Sequence, residues 1–237
     1  MAGQAVAPLA DDTPRPGLLV FYGGTFDPVH NGHLAIARHA ALELQVPVRL
    51  MPAADPPHKD LLGADASQRA AMLVLAAAGD PLLEVDQREL RRAERQPGVP
   101  SWSVDTLREL RAEHGPAQPL ALLMGADSLL GLPTWHEWEH LLGLAHIVVA
   151  ERPGSLLDGS LPEMLAEHLQ GSWADTPAQL QTAPAGRVLR LRQPLHGESA
   201  TQVRRLIAEG GNWQPLVPPA VAGYILAQGL YGARATS

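Results

Sequence analysis

Between residues 22 and 33 the chain reads YGGTFDPVHNGH, a stretch dense in groups that can do chemistry. Two imidazoles, His30 and His33, stand three residues apart; in the first turn of a helix that spacing puts both on one face. Imidazoles so placed can donate hydrogen bonds to phosphate oxygens and, when protonated, offset negative charge as it redistributes. The same pair could also be metal ligands, or could simply cap and pack the helix. No nearby carboxylate and cysteine pattern completes a zinc signature, and the chain contains no cysteine. Gly23 and Gly24 allow a ligand to approach the backbone closely, and the following helix can aim its amides at an anion. Pro28 restricts the backbone before that helix, which Asp27 or Asn31 could cap.

Four later segments offer complementary groups. PPHKD presents His58 and Lys59, the single lysine, either to a phosphate or to solvent. SWSVDTL joins an aromatic to hydroxyls at a helix start: Trp102 and Ser103 face a ligand, or pack and cap. In GADSLLGLPTW, Asp127 could hold sugar hydroxyls or cap a helix, and Trp135 could stack on a ligand ring or fill the core; Trp138 reads as structural. In GESATQVRRLIAEG, Ser199, Thr201 and the helix-start amides can face phosphate oxygens beside Arg204, a fixed multi-donor cation; the plainer reading is a cap with an exposed arginine. Both the G-x-G-x-x-G fingerprint and the G-x-x-x-x-G-K-[ST] phosphate loop are missing, which argues against hydride transfer and P-loop hydrolysis.

The elements that must position these groups alternate. GLLVFY, VPVRLMPA, LLEVD, PLALLMG, AHIVVA and RVLRLRQP read as strands, and the segments between them carry helical periodicity with Asp or Ser starts and Gly stops. TWHEWEHLLG reads as one helix and SWADTPAQLQTAPAG as a surface connection. Such alternation predicts an α/β fold, a doubly wound, mainly parallel sheet with C-terminal helices, and ligands beyond the strand carboxyl ends. Gly23, Gly24, Met124, Gly125, Asp127 and Arg152 fall beside those ends. The expected layout is a loose tail over 1–16, an α/β core over 17–198 and a helical part of the same domain over 199–237.

Composition narrows the classes. The chain has 237 residues, 46% of them apolar, enough for a sizeable core. Eighteen basic against 25 acidic residues give a formal charge of −7, which argues against broad nucleic-acid binding but leaves room for a small polyanion site. With no signal peptide and no long apolar run, the expectation is a soluble, cytoplasmic protein without a membrane partner.

The HNGH stretch resembles the nucleotidyltransferase superfamily. The ordered set GGTFDPVHNGHL, MPAADPPHK, SWSVDTLREL, GADSLLGLPTWHEWEHLL, VVAERPG and VPPAVAGYILAQGLY resembles, more narrowly, bacterial nicotinate-nucleotide adenylyltransferases, over about residues 18–231. That resemblance implies a Rossmann-like nucleotidyltransferase fold and adenylyl transfer from ATP to nicotinate mononucleotide. It implies that His30, His33, Lys59 and Arg204 serve catalysis, and that Gly23, Gly24, Thr25, Phe26, His30, His33, Ser199, Thr201 and Arg204 bind ATP. Lys59, Trp102, Ser103, Asp127 and Trp135 would bind the mononucleotide, with Mg2+ arriving on ATP and no protein metal ligand. Trp102, Ser103 and Ala200 depart from the family pattern, which commonly has tyrosine, threonine and a second serine there. A related acceptor such as nicotinamide mononucleotide, a catalytically silent nucleotide-binding regulator, and a monomer or homodimer all remain open at this point.

Overall fold

The computed structural model describes residues 17–54, 63–151, 157, 161–194 and 196–234. Within them lie seven strands: β1 (Leu19–Gly24), β2 (Val48–Pro52), β3 (Leu83–Val85), β4 (Leu120–Gly125), β5 (His146–Ala150), β6 (Trp173–Ala174) and β7 (Val188–Arg190). Nine α-helices accompany them among the described residues: α1 (Asn31–Leu44), α2 (Ala66–Ala77), α3 (Arg88–Arg95), α4 (Ser103–His114), α5 (Ala126–Leu130), α6 (Leu141–Leu144), α7 (Glu163–His168), α8 (Ala200–Ala208) and α9 (Pro219–Gln228). The strands form one sheet in the order β3-β2-β1-β4-β5-β7-β6, and every pairing in it is parallel.

The strands are apolar on both faces because both faces are covered. Val20 and Tyr22 of β1, with Ala121 and Leu123 of β4, pack into one core with α1, α2, α8 and α9. Phe21 of β1, with Leu120, Leu122 and Met124 of β4, packs into the other core with α4, α5, α6 and α7. Period-two alternation along a strand thus feeds two cores, the signature of a doubly wound sheet. From β1 the chain winds outward through β2 and β3, then returns to place β4 on the other flank of β1. That reversal opens a crevice at the carboxyl ends of β1 and β4.

Local chemistry fixes the helix ends. Asp65 accepts from the Gln68 N–H at 2.8 Å while the Gln68 side chain accepts from the Asp65 N–H at 3.1 Å, a reciprocal cap on α2. Gly115, at φ 85°, ends α4 in a conformation costly for any residue with a Cβ.

Three sequence expectations change. TWHEWEHLLG is not one helix: Glu137 sits at φ 49°, a 3-10 turn covers Trp138–His140, and only Leu141–Leu144 is α-helical. The break lets Trp135 and Trp138 go to different places, the first to the crevice and the second to the core. SWADTPAQLQTAPAG is more than a connection, since Trp173–Ala174 adds the edge strand β6 and Pro177–Gln181 forms a 3-10 turn whose Leu180 is fully buried. The helix α3 escapes the periodicity because RELRRAER has almost no apolar stripe. It is held by ion pairs, Arg88 to Asp86 at 2.6 Å and to Glu113 at 2.9 Å, and Arg92 to Glu109 at 2.8 Å. Among the described residues no helix is long and apolar enough to cross a membrane.

Candidate active site

The crevice at the carboxyl ends of β1, β2 and β4 is a cleft of about 360 Å³. Gly23, Gly24 and Thr25 form one wall; Ser103 from the first turn of α4, Ser128 and Trp135 form another. At Gly24 space is tight: a Cβ there would stand 3.0 Å from the Phe26 ring, which would have to give by a few tenths of an ångström. At Gly23 a Cβ would meet only Leu122 and Met51, at 3.8 and 3.9 Å, so there the glycine keeps backbone open toward the cleft.

After β1 the chain turns through Phe26, whose φ of 50° lies in the left-handed region. Phe26 is buried, its ring edge-on to Tyr22 at 5.5 Å and to His33 at 5.0 Å, so it supports the loop and the second histidine from beneath. His30, not Asp27 or Asn31, is the N-cap of α1. Its N–H donates to His33 Nδ1 at 3.3 Å, and the two rings stack with centroids 3.7 Å apart. With Nδ1 accepting, the neutral His33 ring carries its proton on Nε2 and can donate it outward. Asn31 instead donates to the Pro215 carbonyl at 2.8 Å, tying α1 to the turn before α9.

Asp27 is a buried junction. Its carboxylate accepts from the Tyr231 hydroxyl at 2.7 Å and from the Gly63 N–H at 3.1 Å, and Arg204 lies 3.7 Å away. The Asp27 carbonyl accepts from Arg204 Nη1 at 2.5 Å, and Arg204 Nη2 reaches Thr201 Oγ1 at 3.4 Å. Burial, and then the bond to Asp27, push the Tyr231 phenol well above its ordinary value, so it stays a donor. Ser199 caps α8, its Oγ accepting from the Gln202 N–H at 3.1 Å. These contacts bring α8 against the loop that leads into α1, although 177 residues separate Arg204 from Asp27 in sequence. The helix ends therefore offer amides, imidazoles, hydroxyls and a guanidinium together, a donor set suited to phosphate oxygens.

Two expected contributors sit apart from the cleft wall. Trp102 is 38% exposed and lies tilted against the His136 ring, centroids 5.1 Å apart, while Asp127 is exposed on the first turn of α5. Trp138 is buried against His168, as expected of a structural residue. Lys59, His58 and Arg152 lie outside the described residues.

Three features were not read from the sequence. Arg69 is completely buried and donates to the Thr25 carbonyl at 2.7 Å, holding the glycine turn from below. Its only sequence signal is its place on the apolar stripe of α2, three and four residues before Met72 and Leu73. Tyr231 gave no signal beyond a terminal aromatic. Glu89 lies on the floor of the cleft, buried on the unread helix α3.

A cytidylyltransferase-like family model matches residues 21–206. A protein of Stenotrophomonas maltophilia named "Probable nicotinate-nucleotide adenylyltransferase" is 62% identical over 90% of this chain and 96% of its own. The chain belongs to the nicotinate-nucleotide adenylyltransferase family. A family member of the same name in Xylella fastidiosa M12 is 46% identical over 92% of this chain and 97% of its own. The fold of this adenylyltransferase-family chain also matches the nicotinic acid mononucleotide adenylyltransferase of Plasmodium falciparum complexed with APC, with a TM-score of 0.67 at 15% identity over 93% of this chain and 100% of that one. At that identity the likeness concerns the fold alone.

Proposed function

We propose that the protein transfers the adenylyl group of ATP to nicotinate mononucleotide, giving nicotinate adenine dinucleotide and pyrophosphate. The observation that carries this reading is convergence: family segments scattered from Gly23 to Arg204 meet at the carboxyl ends of β1 and β4. On one side of the meeting point lies a cleft with an indole and a hydroxyl, and on the other lie two helix amino ends with imidazoles and a guanidinium.

The phosphate of the mononucleotide is already a nucleophile. It forms a bond to the α-phosphorus of ATP as the bond to the pyrophosphate oxygen breaks, so alignment and charge stabilisation suffice. Gly23, Gly24 and Thr25 let the nucleotide approach the backbone. His33 donates from Nε2 and His30 stands stacked beside it, while the α8 amides, Ser199, Thr201 and Arg204 receive the phosphates leaving as pyrophosphate. Ser103 and Trp135 take the mononucleotide, with the indole stacking on the pyridine ring; Trp102, Asp127 and Lys59 remain assigned to the same substrate through the family. Phe26 serves ATP through the turn it supports.

Imidazoles, amides and a guanidinium fit phosphate oxygens rather than a hard cation, and the buried Asp27 carboxylate is engaged by Tyr231 and Gly63. Mg2+ would therefore arrive with ATP, with no residue of this chain assigned to hold it, and would supply charge neutralisation. The reading places the protein in the cytoplasm, where ATP is available.

The test offers purified protein ATP with nicotinate mononucleotide, nicotinamide mononucleotide or phosphopantetheine, and follows pyrophosphate and dinucleotide. Higher kcat/KM on nicotinamide mononucleotide would replace the acceptor; ATP binding with no product on any acceptor would leave a silent nucleotide binder.

A further inference from the structure

The floor of the cleft holds a polar cluster of Glu89, Ser101 and Thr106, backed by Arg92. Arg92 can only donate: Nη2 gives to Ser101 Oγ at 2.5 Å and to Thr106 Oγ1 at 2.6 Å. Thr106 donates in turn to Glu89 Oε1 at 2.7 Å, a shorter contact than its 3.3 Å to the Trp102 carbonyl. Arg92 itself remains 3.9 Å from Glu89 and is engaged by Glu109 at 2.8 Å. The Glu89 carboxyl thus holds the first turn of α4 through Thr106, and Arg92 ties Ser101 to the same hydroxyl.

Nothing in the transfer chemistry above uses this cluster, yet Glu89, Ser101 and Thr106 all line the cleft that Ser103 and Trp135 enclose. A buried acid is costly to keep. Burial pushes the Glu89 carboxyl upward, against the pull of Thr106, Arg92, Ser101 and Ala54. A leucine or glutamine of similar volume would pack with less desolvation.

We propose that Glu89 is a positioning residue for the acceptor substrate: by accepting from Thr106, which shares the Arg92 guanidinium with Ser101, it holds in register the cleft wall that receives the mononucleotide. This inference rests on the acceptor occupying that cleft. The phosphate-binding ends of α1 and α8 make no use of Glu89, so the effect falls on one substrate only.

The test is Glu89→Gln, which keeps the shape and replaces one carboxylate oxygen with a donor, so that the Thr106 hydroxyl loses its charged acceptor. The KM for nicotinate mononucleotide is expected to rise by about tenfold to a hundredfold, what a hydrogen bond to a charged group is worth. The KM for ATP and kcat at saturation should stay within about twofold, the pattern of lost ground-state and transition-state binding alike. Without any substrate, amide hydrogen exchange across 101–106 should quicken in the variant. Parallel rises in both KM values, an unchanged acceptor KM, or unaltered exchange would each overturn the proposal. If the wild-type protein itself fails to use nicotinate mononucleotide, the functional reading falls and the exchange measurement alone decides the role of Glu89. Should Glu89→Gln not fold, Arg92→Met, which leaves the cleft lining intact and removes the donors behind Ser101 and Thr106, must show the same selective rise in acceptor KM, and its absence sinks the idea.

Discussion

Changing Tyr231 to Phe removes one oxygen from the junction at Asp27 that joins the loop before α1 to α8 and to the turn after α9. The Tyr231 hydroxyl donates to Asp27 Oδ1 at 2.7 Å, and Asp27 is 3% exposed, so water cannot easily replace the lost donor. The ring itself stays packed against Gly63, whose missing Cβ makes room for it: a Cβ there would stand 2.3 Å from the Tyr231 ring. What is lost is therefore a hydrogen bond to a charged group, worth about 1.5–3 kcal/mol. For a chain of this size each kcal/mol moves Tm by about 2–4 °C, so the variant should melt about 3–12 °C lower. Urea titrations of wild type, Tyr231→Phe, Asp27→Asn and the double variant isolate the pair. In the Asp27→Asn background the bond is to a neutral oxygen, worth about 0.5–1.5 kcal/mol, so the cycle should show a coupling of about 1 kcal/mol. Equal costs of Tyr231→Phe in the two backgrounds would refute the claim that this contact holds the buried carboxylate.

Two further expectations concern histidines. His30→Ala should lower kcat by about 10²–10³, the loss typical of one transition-state donor, with circular dichroism unchanged; near-wild-type turnover would reject its role. His146 is fully buried, its Nδ1 accepting from the Arg187 N–H at 3.0 Å and its Nε2 lying 2.9 Å from the Ala183 carbonyl, so the folded chain holds it neutral. Burial first, with Arg111 and Arg187 adding, lowers its pKa. The folded state therefore refuses a proton that the unfolded state takes up below about 6.5, and this stability is present above that pH and lost as the pH falls through it. The melting advantage of wild type over His146→Gln should shrink between about pH 7 and 5; the other histidines are common to both proteins and cancel, so a constant difference contradicts the assignment.

The alternation of apolar strands with capped helices was legible because a parallel sheet covered on both faces needs strands apolar throughout, and GLLVFY, PLALLMG and AHIVVA are. The HNGH turn and the SATQVR helix start could be read as candidate anion sites because glycines, imidazoles and helix amides carry their chemistry locally. Helix α3 was not, since its stability comes from ion pairs to Asp86, Glu109 and Glu113, partners that periodicity cannot reveal. With α3 went Glu89. The break at Glu137 was hidden for a related reason: two tryptophans three residues apart read as one helical stripe, whereas the tertiary fold sends them to separate sites.

The sequence by itself thus determined the fold class and the candidate phosphate-binding groups, because both depend on residues close together in the chain. Only the tertiary structure decided that His30 rather than Asp27 caps α1, that Asp27 binds Tyr231 and Arg204, and that Thr106 meets the buried Glu89 carboxyl beside Arg92. Those choices depend on which donors find which acceptors once water is excluded, and the partners come from segments that the sheet brings together and the chain keeps far apart.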